Sequence, residues 1–184
     1  MGVLRSFRAS AVFALWAGAL AAACGPSSGP PLSQVTATRA AVSFDYPAMG
    51  GSGRLSSEST RGRVTVIVFI TTYDLGSQLV LRELIDLVHS HEPRINVGAI
   101  VLEPPRNAPL VQAFSDTLEL PFPAALADTA TLEARGPFGE VRAVPTLVVL
   151  DPVGRETWRQ SGVVSVEEMT RAVDRAQRGA PAGR

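Results

Sequence analysis

VTVIVFITTYDLGSQ, residues 64–78, decides how this chain folds. From Val64 to Thr71 it is a nearly continuous run of Val, Ile and Phe. A run of that length without polar alternation is the pattern of a strand buried on both faces, in the middle of a parallel or mixed sheet. A helix follows: Leu79, Leu81, Leu84, Ile85, Leu87 and Val88 fall near a 3.6-residue period that stops at His89-Ser-His-Glu-Pro93. Asp74 stands at the junction, where an aspartate can accept the N–H of the second or third helical residue.

Downstream the alternation of elements continues. Ile95–Leu102 reads as a second buried strand, and Pro104-Pro105 breaks it. Asn107 is placed to cap a helix with Pro109 in its first turn and Leu110, Val111, Phe114 and Leu118 on one face. Ala124–Leu126 predicts a short strand and Thr129–Arg135 a small helix. Thr146–Leu150 and Arg155–Gln160 predict a hairpin around the turn Asp151-Pro-Val-Gly154. Ser165-Val-Glu-Glu168 is a capping box that opens a last helix to about Arg178. Upstream, Val42, Phe44 and Tyr46 alternate with other residues. A glycine-rich turn at 50–53 and Arg54-Leu55-Ser56 then complete an N-terminal hairpin. Strands alternating with helices and closed by a hairpin and a helix define an α/β layout.

The first forty residues read differently. Met1–Ser10 carries Arg5 and Arg8, and Ala11–Ala23 is an apolar run shorter than the ~20 residues of a spanning helix, the form of a signal peptide over residues 1–23. Cys24, the only cysteine of the 184 residues, follows at once. Leu20-Ala-Ala-Ala-Cys24 resembles a bacterial lipobox, with the leucine one place earlier than that signal usually has it, which implies lipidation of Cys24. Residues 24–40 are rich in Gly, Pro and Ser and read as a tether, residues 41–178 as the folded domain, and 179–184 as a tail. Removing Arg5 and Arg8 with the leader leaves 15 of the 17 basic residues against 17 acidic ones, a formal −2 that gives no reason to expect nucleic acid as a partner.

From about Phe44 to Arg178 the chain resembles membrane-anchored thioredoxin-like proteins of the TlpA and redoxin type. The resemblance rests on residues 62–69, GRVTVIVF, on Thr71-Thr72-Tyr73, on residues 141–146, VRAVPT, and on residues 150–155, LDPVGR. It implies a central mixed sheet flanked by helices with an N-terminal β-hairpin extension, and a cis proline at Pro145. It also implies a departure. Asp74 and Ser77 stand where that family has the two cysteines of its Cys-x-x-Cys, and disulfide exchange needs a thiolate that neither residue can supply. No catalytic residue is therefore expected.

The expected groove comprises Tyr73, Asp74, Leu75, Gly76 and Ser77 facing Val144, Pro145 and Thr146, where an extended peptide could pair with the backbone at Val144 without any thiol. The expected function is a redox-inactive binding or scaffold module, held by Cys24 to a membrane of the bacterial envelope on its periplasmic or outer-surface side, with an envelope protein or peptide as partner and no cofactor. Two rivals remain open on sequence. One is a thiol–disulfide or redoxin-type enzyme that works with cysteines supplied by a partner. The other is a metal-delivery protein using His89 and His91, although a lone His pair falls short of the three or four ligands a metal site usually needs.

Overall fold

The computed structural model describes residues 40–51, 53–91 and 93–179. The leader, Cys24 and most of the tether, together with Ser52 of the predicted turn and residues 180–184, lie outside the described residues. Strands β1 (Asp45–Pro47) and β2 (Arg54–Ser56) form the N-terminal hairpin, with Tyr46 opposite Leu55. Then come β3 (Thr65–Ile70), α1 (Leu75–Ser90), β4 (Asn96–Val101), α2 (Ala108–Thr117), β5 (Ala124–Leu126) and α3 (Thr129–Leu132). The chain closes with β6 (Thr146–Leu150), β7 (Glu156–Ser161) and α4 (Val166–Gly179). Gly179, assigned to the tail on sequence, is the last residue of α4.

Five strands make one mixed sheet in the order β5-β4-β3-β6-β7, with β3 parallel to β4 and antiparallel to β6. Every residue of β3 is buried because both faces of the sheet are covered. Val66, Val68 and Ile70 point to a core shared with Val80, Leu81, Leu84 and Leu87 of α1 and with Met169, Ala172, Val173 and Ala176 of α4. Ile67 and Phe69 point the other way, to a second core with Ile100, Val148, Phe44, Tyr46, Leu55 and Phe138. The N-terminal hairpin is thus more than an extension, for it covers one face of the sheet. Leu55 reaches so close to β4 that a Cβ on Gly98 would lie 2.4 Å from its side chain, so Gly98 leaves room for the hairpin. Both cores and all strand pairing among the described residues lie between residues 41 and 179.

Two expectations for α2 are corrected. Asn107 precedes the helix but makes no side-chain cap bond. Its amide donates instead to Glu103 at 2.7 Å. Leu110 is 54% exposed. One residue step on a helix is about 100°, and Val111 takes the buried position with Phe114 and Leu118 packed beside it, so Leu110 faces outward.

Candidate functional site

The site lies where β3 runs into α1. Asp74 keeps an extended backbone, and its Oδ2 accepts hydrogen bonds from the Ser77 N–H at 2.6 Å and the Ser77 hydroxyl at 2.8 Å. The Thr71 N–H donates to the same hydroxyl oxygen at 3.4 Å. This is an N-cap in which the carboxylate takes up one of the orphan amides of the first turn and sits at the positive end of the helix dipole. Ser77 is fully buried. The Thr71 hydroxyl, buried next to it, has no hydrogen-bond partner among the described residues.

The second half of the site arrives on the approach to β6. The Val144–Pro145 peptide bond is cis, and the Pro145 carbonyl accepts the Gly162 N–H at 2.8 Å. Thr146 is buried; its hydroxyl donates to the Ala143 carbonyl at 2.7 Å and shares a bond with Ser161. The two halves meet at Gly76, where a Cβ would lie 3.2 Å from Pro145 Cδ, 3.2 Å from Asp74 Oδ2 and 3.5 Å from Val163 Cγ2. Residues 74–77 and Pro145 are therefore neighbours, as the sequence pattern implies.

The grouping divides by exposure. Tyr73 is 80% exposed and Leu75 69%, with Val144 half-buried beside Pro145. Ser77 and Thr146 are turned inward and hold the site together, so neither offers a groove surface. Val163, 57% exposed and packed over Gly76, joins the exposed apolar rim and was not predicted. Among the described residues, neither backbone polar group of Val144 has a protein partner.

Glu103 was also missed. It is 2% exposed, and its Oε1 accepts from the Thr72 N–H at 2.7 Å and the Thr72 hydroxyl at 2.5 Å, while its Oε2 accepts from Asn107. Burial pushes its carboxyl up, but the hydrogen bonds from Thr72 and Asn107 outweigh it and hold the group below the ordinary carboxylate value. The register could have found it. Thr65 pairs with Asn96 and Ile70 with Val101, and the same offset sets Thr72 opposite Glu103. This buried carboxylate anchors the residue that precedes Tyr73.

His89 and His91 do not act together. His91 is buried at the end of α1, with its ring 3.3 Å from Gln177 and 4.0 Å from Asp174 of α4, whereas His89 is exposed. No cluster of three or more metal-ligating side chains occurs among the described residues. No helix among them is long and apolar enough to cross a membrane.

This combination of a mixed five-stranded sheet, flanking helices, a strand-to-helix site and a facing Val-Pro-Thr loop defines a thioredoxin-like fold. Solved structures with the same architecture include a thiol:disulfide interchange protein of the thioredoxin family from Chlorobium tepidum, with a TM-score of 0.64 and 19% identity over 74% of this chain and 94% of that one. A DsbF homologue from Corynebacterium diphtheriae superposes with a TM-score of 0.67 and 16% identity over 82% and 96%. An exposed lipoprotein thioredoxin from Streptococcus pneumoniae gives 0.59 and 13% over 72% and 98%. No protein-family model matches the sequence, and no curated protein matches it.

Proposed function

We propose that this protein is a redox-inactive thioredoxin-fold binding module of the bacterial cell envelope, tethered to the membrane through a lipid on Cys24. The observation that carries the reading is the Asp74–Ser77 pair. A carboxylate and a hydroxyl bonded to one another fill the two positions beside Pro145 where exchange chemistry would need thiols. The sole cysteine of the chain, Cys24, lies fifty residues earlier in a leader-like context. Around the same loop the open backbone of Val144 and the exposed Tyr73, Leu75 and Val163 suit an extended segment of a partner, with main-chain pairing for affinity and apolar side chains for specificity. The envelope location draws support from the leader pattern and from the description of one structural neighbour as an exposed lipoprotein.

The test is capture of partners from the native envelope by the tethered protein. Pro145→Ala and Tyr73→Ser should each weaken capture while the fold persists. Capture that survives changes at Val144, Pro145 and Tyr73 would remove the groove from the account. A second reading, an oxidoreductase that borrows cysteines from its partner, draws on the thiol:disulfide interchange activity named for the Chlorobium tepidum neighbour. It predicts disulfide turnover only when the partner is added.

A further inference from the structure

The end of the sheet away from Asp74 has a chemistry of its own. Here β3 begins, β4 begins and β6 ends, about 20 Å of strand away from Thr71. Arg63 and Arg94 line one cavity of about 480 Å³ together with Val64, Pro152 and Gln177. Arg61 lines the adjoining cleft with Ala41, Asp151 and Gly154. All three arginines are exposed, and none pairs with a carboxylate among the described residues. Arg54, Arg135, Arg142, Arg155 and Arg159 each hold a carboxylate, whereas these three, like Arg82 and Arg106 elsewhere on the domain, keep their guanidinium groups free of one among the described residues. Asp151, the buried acid of this pole, is committed to Arg155 at 2.8 Å. Glu58 shares a cleft with Arg61 without pairing to it. Arg178, next to Gln177 in the last turn of α4, adds a further exposed cation.

The chain also enters the domain at this pole. Ala41 bridges to Arg155, and the Val42 N–H donates to the Gly154 carbonyl at 2.8 Å. Everything before residue 40 therefore joins here, and the stretch from Cys24 to Ala40 spans at most roughly 55 Å when fully extended. A lipid at Cys24 would keep the arginine pole within that distance of the bilayer.

We propose that the pole bearing Arg61, Arg63 and Arg94 docks on the anionic phospholipid headgroups of the membrane that carries the tether. Guanidinium groups match phosphate oxygens in pairs and are weakly hydrated, so three of them at one end form a fitting surface for such headgroups. Docked this way, the domain stands with Asp74, Tyr73 and Pro145 facing away from the bilayer, free to meet a partner. The inference rests on the anchor reading only for the identity of the membrane.

The test uses the chain from residue 24 onward carrying Cys24→Ser, so that no lipid contributes, with vesicles of phosphatidylcholine alone or mixed with phosphatidylglycerol. Binding to the mixed vesicles, release by high salt and little binding to the neutral ones are expected. Each arginine at an anionic surface contributes about fivefold in partition coefficient, so Arg61→Gln/Arg63→Gln/Arg94→Gln should lower it on the order of a hundredfold. Arg106→Gln/Arg142→Gln, at the opposite pole, should change it little. Equal binding by the wild type and the triple variant, or an equal loss in the opposite-pole variant, overturns the proposal. The acyl mass on Cys24 of the native protein is a separate measurement. An acylated Cys24 with no vesicle binding removes the docked pole and leaves the anchor, whereas vesicle binding with an unmodified Cys24 does the reverse.

Discussion

Two polar clusters flank Tyr73, and they differ in reach. On one side Asp74 bonds to Ser77, three residues away, within the first turn of the helix it caps. On the other side Glu103 bonds to Thr72, thirty-one residues away, across the parallel strands β3 and β4. The first cluster could form in any helix with that sequence; the second exists only when the sheet is assembled. Asp74 is half-buried and keeps some water, whereas Glu103 is buried among donors aimed at it. Together they turn the polar groups of the loop inward and leave Tyr73 and Leu75 facing out.

The comparison breaks most visibly at Glu103. Glu103→Leu leaves the Thr72 N–H, the Thr72 hydroxyl and the Asn107 amide without their acceptor, and a loss of about 3 kcal/mol in chemical denaturation is expected. Glu103→Gln keeps the shape and should cost less, about 1–2 kcal/mol at neutral pH. The advantage of the wild type over Glu103→Gln should depend on pH. The folded carboxyl is held below its ordinary value of 4.5, so the fold favours the ionised form. That stabilisation is complete above the unfolded value and is lost as pH falls through the folded one. Unfolding of both proteins between pH 7 and pH 3 should therefore show the gap closing only in the acid range. A gap independent of pH would mean that Glu103 contributes shape and not charge.

Asp74→Ala removes a local cap and should cost less again, about 1 kcal/mol, with no steep dependence on the rest of the sheet. Tyr73→Ser and Leu75→Ser, exposed between the two clusters, should change stability by no more than about 0.5 kcal/mol. Their effect should appear in partner capture instead. Were they to unfold the domain, the outward surface would belong to the core.

This difference in reach also explains what the sequence revealed. The local features were legible: the apolar run of β3, the Asp74 cap, the short β5 and the Val-Pro-Thr entry to β6 each carry their signal within a few residues. The nonlocal ones were not. Asn107 has the form of a helix cap, yet its amide turns to Glu103, because the second oxygen of that buried carboxylate, Oε2, is left to it by Thr72 and a charged acceptor out of water binds a donor more strongly than a solvated helix end does. Gly98 inside β4 was a readable sign that another segment approaches closely there, but the segment, Leu55 of the hairpin, is known only from the fold. Val163 follows β7 with no motif of its own and enters the site through tertiary packing over Gly76. Ser77 occupies a position that suggests function, and the bonds it makes are those of a cap.

The measurement that bears most directly on the account is reductant-driven turnover of insulin disulfides by the purified protein, run beside Asp74→Cys/Ser77→Cys. The helix end that accepts a carboxylate at residue 74 would equally favour a thiolate there. The wild type is predicted to stay at the uncatalysed rate and the double variant to rise above it. Turnover by the unmodified protein alone would contradict the claim that this fold has kept its frame and given up exchange chemistry.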